Sequence, residues 1–429
     1  MISYVILVMR FYTILPFFGL VFAGKIVNLP KLDFNIYSDQ YTGYLNVSET
    51  HRLFYWFFES QNTPLNDPLI FWFNGGPGCS SLFGMLEENG PFLFSTGNDT
   101  FRRNEYTWNR MANVVYLESP VGVGFSYSTD DDIRTNASFT ADENYEAVKE
   151  FLKEFPQFRN HDIFITGESY AGIFIPMLAD RIIDGQKRYP INLKGLAIGN
   201  GYFASKTRTL TLLSWSYYHG LIGKELYDSF VEECCNGNLN NCKVDKTKEM
   251  CVYIDEYLFA NFTDIDIYDT SRRCSNKIKP GQSNIETCEY DESKIRNYFN
   301  TPEVRDALHI PTDVEHWEMC NSRGYMRTEE DMTDYVKKIV KNGIRILLFY
   351  GDQDSTCDFL LGQQFAADLK LKKLAPKSPW LFRNSVAGYK TTYEGLVFLT
   401  VRGAGHMVPM THPQQSFDML QKFLSNKSI

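Results

Sequence analysis

The sequence predicts an α/β fold in which a mainly parallel central sheet is flanked by helices and interrupted by one insertion. Six mostly continuous apolar runs alternate with stretches of helical character, such as 142–155 and 359–371. Continuous apolar runs are typical of parallel strands buried on both faces, and the alternation is typical of a doubly wound sheet. The six runs are 69–73, 113–117, 163–165, 196–198, 344–349 and 396–401.

Each of these runs ends in a loop rich in glycine and polar residues. In open α/β sheets the ligand binds over the carboxyl ends of the strands, so we expect the loops to converge on one crevice. The six loops are 74–78, 118–120, 167–169, 199–201, 351–354 and 403–406.

The N-terminal segment 1–24 is apolar apart from Arg10 and ends in small residues. It predicts a secretory signal peptide that is removed near Ala23 and Gly24. A signal anchor is the alternative, but Arg10 and Pro16 leave a short apolar run for a membrane span. We therefore expect a lumenal or extracellular protein without stable membrane insertion after signal removal.

The predicted core domain comprises residues 25–202 and 321–429. It begins with two apolar segments, 41–45 and 52–57, which predict a β-hairpin at one edge of the sheet. Residues 203–320 break the alternation, are rich in cysteine and aromatic residues and contain no comparable core strand. We interpret them as an inserted cap subdomain.

The cysteine pattern agrees with an oxidising compartment. Five of the nine cysteines lie between residues 234 and 274, which predicts disulfides in a loop-rich region. A zinc site is the rival interpretation, but the cluster has no C-x-x-C pair and no histidine. Because the count is odd, one thiol should be free. Five glycosylation sequons, at Asn46, Asn98, Asn136, Asn261 and Asn426, fit a secreted glycoprotein.

The net charge of −9 does not favour nucleic acid as a partner. Nucleic-acid binding requires a basic face that neutralises phosphates. Because part of the acidic excess is lost when carboxylates protonate, the composition is compatible with an acidic compartment.

The loop 167–172 is a candidate for the turn that carries a nucleophile. The apolar run before it stops at Gly167, Ser169 follows, and Ala171 and Gly172 lead into an apolar helical stretch. A sharp strand-turn-helix that exposes a serine crowds the residues two before and two after it, so both must be small. The alternative is an ordinary turn with a capping serine, and the common motif has glycine where this chain has Ala171.

A reactive serine requires a base, and the base requires an orienting carboxylate. Among seven histidines, only His406 follows a predicted strand within a glycine-rich loop, and His412 is its nearest competitor. The loop after residue 349 offers Asp352, Asp354 and Asp358 as the carboxylate. The chain order Ser, Asp, His matches the α/β-hydrolase arrangement.

An oxyanion formed at Ser169 requires two backbone N–H donors. We expect them at Tyr170, which follows the nucleophile, and at Gly76 in the glycine-rich loop. The rival interpretation is a dinucleotide-binding oxidoreductase, but the loop lacks G-x-G-x-x-G spacing and the chain has no Walker motif. We therefore expect no cofactor and no metal.

Four blocks of the sequence resemble the signature blocks of the serine carboxypeptidases (peptidase S10 type). They read WFNGGPGCSS at 72–81, ESPVGVGFSYS at 118–128, GESYAG at 167–172 and GAGHMVP at 403–409. The resemblance runs from about residue 30 to the C-terminus and is closest to the cathepsin A (protective protein) branch. Ala171 is itself part of the family's form.

The resemblance implies a role for individual residues. Ser169, Asp354 and His406 match the catalytic triad, and Gly76 and Tyr170 match the oxyanion donors. The group that recognises the terminal carboxylate of the substrate is matched by Asn74, Glu87 and Glu168, although Glu88 is adjacent to Glu87 and is an alternative assignment. Trp72 and Met407 would line the pocket for the departing residue, and Cys357 would be the free thiol at the site.

The resemblance also implies disulfides between Cys79 and Cys320, Cys234 and Cys251, Cys235 and Cys242, and Cys274 and Cys288. Only thirteen residues separate the last pair, far fewer than in the excised region of cathepsin A. This departure puts activation by removal of a long cap peptide in doubt.

The sequence as a whole predicts a serine carboxypeptidase that releases C-terminal, hydrophobic residues from peptides at acidic pH through an acyl-enzyme. One alternative is a related acyltransferase or esterase, and another is a partner-stabilising protective protein. We expect substrates with a free C-terminus, a lysosomal or secreted location and a possible homodimer.

Overall fold

The computed structural model describes residues 23–95, 100–239, 242–244, 247–249, 251–253, 257, 265–275, 286–287, 292–328 and 331–429. Several predictions fall outside the described residues: the signal peptide up to residue 22, the sequons at Asn98 and Asn261, and the Cys274–Cys288 disulfide, because Cys288 is not described. Among the described helices, none is both long and apolar enough to span a bilayer.

The strands of the described residues are numbered in chain order. They are β1 Gly24–Lys25, β2 Gln40–Asn46, β3 His51–Phe58, β4 Leu69–Phe73, β5 Phe92–Ser95, β6 Thr100–Arg103, β7 Asn113–Leu117, β8 Tyr127–Ser128, β9 Thr135–Asn136, β10 Ile163–Glu168, β11 Leu193–Gly199, β12 Ile265–Asp266, β13 Asp269–Ser275, β14 Glu286–Thr287, β15 Tyr325–Met326, β16 Arg345–Gly351, β17 Ser378–Phe382, β18 Ser385–Tyr393 and β19 Leu396–Val401.

Within the described chain, twelve of these strands form one sheet, in the order β1-β2-β3-β7-β4-β10-β11-β16-β19-β18-β17 with β8 paired to β3. The six strands predicted from apolar runs are the consecutive strands β7, β4, β10, β11, β16 and β19, and each neighbouring pair among them is parallel. The predicted edge hairpin is also present, as the antiparallel pair β2 and β3. The α/β fold and its parallel centre are therefore confirmed.

The helices are numbered in the same way. They are α1 Ser81–Gly84, α2 Ala137–Glu154, α3 Ala171–Gly185, α4 Arg208–Tyr218, α5 Lys224–Cys235, α6 Glu292–Phe299, α7 Pro302–Ala307, α8 Thr333–Lys341, α9 Phe359–Asp368, α10 Val408–Thr411 and α11 Pro413–Leu424. A π-helical turn, Met85–Asn89, follows α1, and short 3-10 turns lie at Trp108–Arg110 and Pro156–Phe158.

The central strands are buried on both faces, which explains their continuous apolar runs. Alternate residues of β4 point to opposite sides, so Phe71 and Phe73 join one core while Ile70 and Trp72 join the other. Helices α2 and α3 contribute side chains to the first core, and α11 contributes side chains to the second. Because side chains cover both faces of the sheet, the loops at the carboxyl ends of the strands are the part of the sheet left open to a ligand.

The predicted insertion divides into two parts by packing. Helices α4 and α5 form a separate small core that includes Leu213, Trp215 and Phe230 and the cysteines of two disulfides, Cys234–Cys251 and Cys235–Cys242. Helices α6 and α7 instead pack Phe299 and Val304 into the second core of the sheet. Residues 292–317 therefore pack against the sheet, although they lie within the predicted cap.

Candidate active site

Ser169 occupies a sharp turn between β10 and α3. Its φ of 60° is in the left-handed region, which is uncommon for a residue with a side chain. The turn is held because the Ser169 N–H donates to the Gly199 carbonyl at 3.0 Å, and the Ser169 carbonyl accepts from the N–H groups of Gly172 and Tyr202, both at 2.9 Å. The strained turn is therefore held by the end of β11, the start of α3 and the loop after β11, as is common for a nucleophile at an active site.

The small residues around Ser169 are required by close contacts. A Cβ atom at Gly167 would lie 2.3 Å from the Phe73 carbonyl oxygen, and one at Gly172 would lie 2.6 Å from the Tyr202 carbonyl oxygen. The Ala171 methyl would lie 3.2 Å from a Cβ at Gly167, so alanine fits where a larger side chain would not.

The structure brings His406 and Asp354 together. The His406 Nδ1 atom lies 2.6 Å from Asp354 Oδ2, and both side chains are buried. Asp354 also accepts from the backbone N–H groups of Thr356 and Cys357, at 2.8 and 3.1 Å, and from Asn200 Nδ2 at 2.8 Å. Because four donors converge on this carboxylate, it is held in one orientation against the imidazole.

The competing residues have other partners. Asp352 accepts from the Gly403 N–H at 2.7 Å, and Asp358 caps α9 by accepting from the Leu361 N–H at 3.0 Å. Burial lowers the pKa of His412, which lies near Asp269 and Asp352 rather than Asp354. Of the alternatives left open by the sequence, Asp354 and His406 are the ones that pair.

The electrostatic environment of His406 favours its charged form. Burial is the largest single influence and acts to lower its pKa, but the Asp354 carboxylate together with Glu168 and Asp266 outweighs burial, so the net pKa lies above 6.5. A proton taken up by this imidazole is therefore well stabilised.

The glycine-rich loop after β4 lies directly against the nucleophile turn. A Cβ atom at Gly75 would lie 2.5 Å from the Tyr170 backbone nitrogen and 2.7 Å from Ser169 Cβ. Gly76 follows with a φ of 110° and is exposed. The loop is anchored by the Cys79–Cys320 disulfide and by the Asn321 N–H, which donates to the Gly78 carbonyl at 2.7 Å. The two predicted oxyanion donors, Gly76 and Tyr170, thus come from adjacent segments.

A cluster of two buried carboxyls and an amide adjoins the nucleophile. Asn74 Nδ2 donates to Glu168 Oε1 at 2.9 Å, and Asn74 Oδ1 accepts from Trp72 Nε1 at 2.7 Å. Glu88 lies against both Glu168 and Asn74. The assignment of Glu87 to this cluster is corrected: the carboxyl beside Glu168 belongs to Glu88, whereas Glu87 is half-buried and its carboxyl interacts electrostatically with Arg102.

Burial and mutual repulsion keep this carboxyl pair protonated over a wide range. Burial first, and then Glu168, raise the pKa of Glu88 well above 4.5. Burial raises the pKa of Glu168 to about 7, with His406 acting in the opposite direction. Among the described residues, no well-aligned donor reaches either buried oxygen of Glu88. A proton shared between the two carboxyls satisfies both groups.

Two further residues of the predicted site have defined surroundings. Cys357 is the free thiol among the described cysteines, and burial raises its pKa, so it stays neutral beside Ser169. Trp72 is fully buried and holds Asn74. Met407 is also buried, and the predicted pocket roles of Trp72 and Met407 stay predictions.

The sequons within the described residues differ in exposure. Asn46 and Asn426 are exposed, whereas Asn136 is half-buried and caps α2 by accepting from the Phe139 N–H at 3.0 Å.

Two residues beside the triad were not identified from the sequence. Asn200 follows β11 and donates to Asp354. The sequence contained a signal for it, because a polar residue between two glycines at the end of a strand is typical of a functional loop. Tyr268 lies in the insertion, and its carbonyl accepts from the His406 N–H at 2.7 Å. Nothing in the sequence around Tyr268 indicates this contact.

Comparisons with known proteins agree with this geometry. Residues 30–426 match the family model described as serine carboxypeptidase. The chain is 37% identical to the lysosomal protective protein of Mus musculus, covering 90% of each chain, and 36% identical to serine carboxypeptidase ctsa-4.1 of Caenorhabditis elegans, covering 94% of this chain and 93% of that protein. The fold is similar to that of Kex1(delta)p, a prohormone-processing carboxypeptidase from Saccharomyces cerevisiae, with a TM-score of 0.77 and 24% identity over 94% and 95% of the two chains.

Proposed function

This chain belongs to the serine carboxypeptidase family and is a serine-type carboxypeptidase, and on that premise we propose that Ser169, Asp354 and His406 cleave C-terminal peptide bonds through an acyl-enzyme at acidic pH. The observation that carries the proposal is the 2.6 Å pairing of His406 Nδ1 with Asp354 Oδ2 beside the strained Ser169 turn. Nδ1 is engaged with Asp354, so Nε2 is the nitrogen that takes the Ser169 proton.

The covalent steps follow from this arrangement. Ser169 Oγ attacks the carbonyl carbon of the last peptide bond while its proton passes to His406. The resulting oxyanion accepts from the N–H groups of Gly76 and Tyr170. His406 then gives the proton to the departing amine, which leaves as a free amino acid. Water hydrolyses the ester by the same path, so Ser169 regains its proton.

Recognition of the free C-terminus is assigned to Asn74, Glu88 and Glu168. A protonated carboxyl can donate a hydrogen bond to the substrate carboxylate, whereas an ionised pair repels it. Since burial raises the pKa of Glu168 to about 7 and that of Glu88 well above 4.5, the pair is charged less below neutrality and binds substrate better there.

Protonation of the Glu88–Glu168 pair also favours the base function of His406. Glu168 is one of the negative charges that raise the pKa of His406. Protonation of the carboxyl pair at acidic pH removes that charge, so His406 remains a neutral base to lower pH. Acidic pH therefore favours substrate binding, and the loss of the Glu168 charge extends the base function of His406 in the same direction.

The proposal is tested by the pH dependence of KM. For a blocked dipeptide with a free C-terminus, we expect KM to rise by roughly tenfold between about pH 5 and about pH 8, because the fraction of protonated pair falls by about that factor around a pKa near 7. The double variant Glu88→Gln/Glu168→Gln should lose most of this dependence. If the dependence were unchanged in that variant, the carboxyl pair would not be the recognition site.

A second assay separates the peptidase from an acyltransferase or esterase of the same family. A carboxypeptidase should cleave the blocked dipeptide and discriminate against its C-terminal amide, since the amide cannot accept the shared proton as a carboxylate does. Ser169→Ala should abolish cleavage. Equal rates on the acid and the amide would favour the alternative.

The departing residue is proposed to be hydrophobic, because Trp72 hydrogen-bonds to Asn74, Met407 follows His406 in the sequence, and both side chains are buried. The proposed location is lysosomal or secreted, supported by the three disulfides and by the name of the mouse relative. A homodimer and a partner-stabilising role stay proposals.

A further inference from the structure

The hairpin formed by residues 265–272 of the insertion contacts both loops that carry the acid–base pair. It consists of β12 and the start of β13, with Ile267 and Tyr268 in the turn. The loop bearing Asp354 follows β16, and the loop bearing His406 follows β19. The hairpin is not continuous in sequence with β16 or β19, yet it forms hydrogen bonds with the loops that follow both strands.

The contacts with the Asp354 loop are made by neighbours of the carboxylate in sequence. The backbone N–H and the hydroxyl of Ser355 both donate to the Ile267 carbonyl, at 3.1 and 2.7 Å. The Thr270 N–H donates to the Gln353 carbonyl at 2.9 Å. The residues on both sides of Asp354 are therefore hydrogen-bonded to the hairpin.

The contact with the His406 loop involves the catalytic histidine itself. The His406 N–H donates to the Tyr268 carbonyl at 2.7 Å, and the two rings pack with centroids 5.0 Å apart. A Cβ atom at Gly405 would lie 2.6 Å from the Tyr268 carbonyl oxygen and 2.7 Å from Asp269 Cβ. The imidazole is thus fixed from its backbone and from one face of its ring.

The hairpin is closed by an ion pair between Asp266 and Arg272. Arg272 lies 3.2 Å from Asp266 Oδ2, and the Asp266 side chain is almost fully buried. The other carboxylate oxygen, Oδ1, accepts from the Tyr268 N–H at 2.9 Å. Asp266 therefore links the ion pair to the residue that contacts His406.

From this geometry we infer that the Asp266–Arg272 ion pair positions the triad: it sets the hairpin that holds Asp354 and His406 in their hydrogen-bonded geometry. Asp266 and Arg272 are positioning residues, since their contacts reach the acid–base pair through the Ile267 and Tyr268 carbonyls. The Asp266 charge in addition raises the pKa of His406, so the Arg272 variant is the primary test. The inference rests on the proposed roles of Asp354 and His406. It makes the insertion a part of the catalytic framework.

The test replaces Arg272 and separates turnover from substrate binding. In Arg272→Gln we expect kcat to fall roughly tenfold or more, because displacements of about 1 Å at a catalytic group have large effects on rate. KM should stay within about twofold, since among the described residues the hairpin hydrogen-bonds to the Asp354 and His406 loops and not to Asn74, Glu88 or Glu168. The rate of inactivation by a small fluorophosphonate, which needs Ser169 and His406 but no substrate carboxylate, should fall in parallel with kcat.

The first control replaces an arginine of similar burial in an ion pair elsewhere in the fold. Arg181 pairs with Asp142 at 2.8 Å and is partly buried like Arg272, but it joins α2 and α3. Arg181→Gln should leave kcat and the inactivation rate unchanged. Asp266→Asn keeps an oxygen for the Tyr268 N–H and should lose less activity than Arg272→Gln. If Arg272→Gln does not fold because the buried Asp266 loses this ion pair, the double variant Asp266→Asn/Arg272→Gln is measured by the same criteria.

The outcomes are distinguishable. A folded variant with unchanged kcat would overturn the inference, and so would a rise in kcat, which would mean that the hairpin obstructs the site. A change in KM alone would assign the hairpin to substrate binding and overturn the positioning role. Activity remaining in His406→Ala would instead refute the proposed function, whatever the result at Arg272.

Discussion

Asn200 provides a sharp test of the acid–base pair. Its side chain is fully buried, and Nδ2 lies 2.8 Å from Asp354 Oδ2 while Oδ1 accepts from the Gly351 N–H at 2.9 Å. Asn200→Asp keeps the shape of the side chain and the Gly351 contact. Aspartate also tolerates the left-handed backbone, where φ is 38°. The main change is that the amide donor to Asp354 becomes a second carboxyl; the longer hydrogen bonds from Nδ2 to the Gly351 and Cys357 carbonyls, both at 3.3 Å, are also lost.

The size of the effect follows from the distance. Two like charges 2.8 Å apart repel by about 6 kcal/mol at an effective dielectric constant of about 20. This repulsion raises the second pKa of the pair formed by the new carboxyl and Asp354 by about four pH units. The two carboxyls therefore share one proton at acidic pH and lose it progressively towards about pH 8. At acidic pH the shared proton takes the place of the amide donor to Asp354. At higher pH the second negative charge raises the affinity of His406 for a proton, so less of the histidine is the neutral base.

We therefore expect the ratio of variant to wild-type kcat/KM to depend on pH. Activity of Asn200→Asp should be within roughly tenfold of the wild type at about pH 5 and should fall by at least a further tenfold by about pH 8. The matched control is Asn192→Asp, because Asn192 Nδ2 also donates to an aspartate, Asp162, at 2.9 Å, but at the surface. A ratio that does not change with pH, or an equal change in the control, would refute the reasoning.

Two other measurements examine the oxyanion loop and the buried carboxyls. Gly75→Ala should reduce kcat by roughly a hundredfold, because the new methyl would lie 2.5 Å from the Tyr170 nitrogen. Gly223→Ala, whose methyl would meet only the Glu225 carboxylate at 3.0 Å, should be fully active, and similar losses in both would contradict this explanation. Burial raises the pKa values of Glu118 and Asp358 to about 7, from 4.5 and 3.8. The folded state thus binds more protons than the unfolded state between about pH 4 and pH 7, so the free energy of unfolding should decrease as pH rises through this range, by on the order of 3 kcal/mol per group. A thermal unfolding midpoint that is higher at about pH 8 than at about pH 5 would exclude a net destabilisation by these two buried carboxyls as pH rises.

The parallel centre of the fold was predictable because burial on both faces leaves a signal along the chain. Strands β4, β7 and β10 are buried at every position, so their runs stand out against alternating patterns. The hairpin of β17 and β18 was not predicted. Its strands mix exposed and buried positions and contain polar residues, since it lies at the sheet edge and has only part of its surface covered.

The site was predictable where its chemistry follows a strand end. Ser169, Asp354 and His406 each lie in the loop that follows a central strand, so topology brings them to one edge. The choice between Glu87 and Glu88 was not predictable, because both lie in the π-helical turn Met85–Asn89 and its wider winding changes which side chain faces inwards. Tyr268 was missed for another reason: its contact with His406 uses a backbone carbonyl, which carries no sequence signal.

The Cys79–Cys320 disulfide has a consequence for synthesis of the chain. Its two cysteines are 241 residues apart, and the oxyanion loop is anchored through Cys79. At roughly 5–20 residues per second, a ribosome needs about 12 to 48 seconds to go from the first cysteine to the second. His406 is translated later still. A nascent chain therefore cannot hydrolyse its neighbours during elongation, and proteolytic competence arrives only when synthesis is nearly complete.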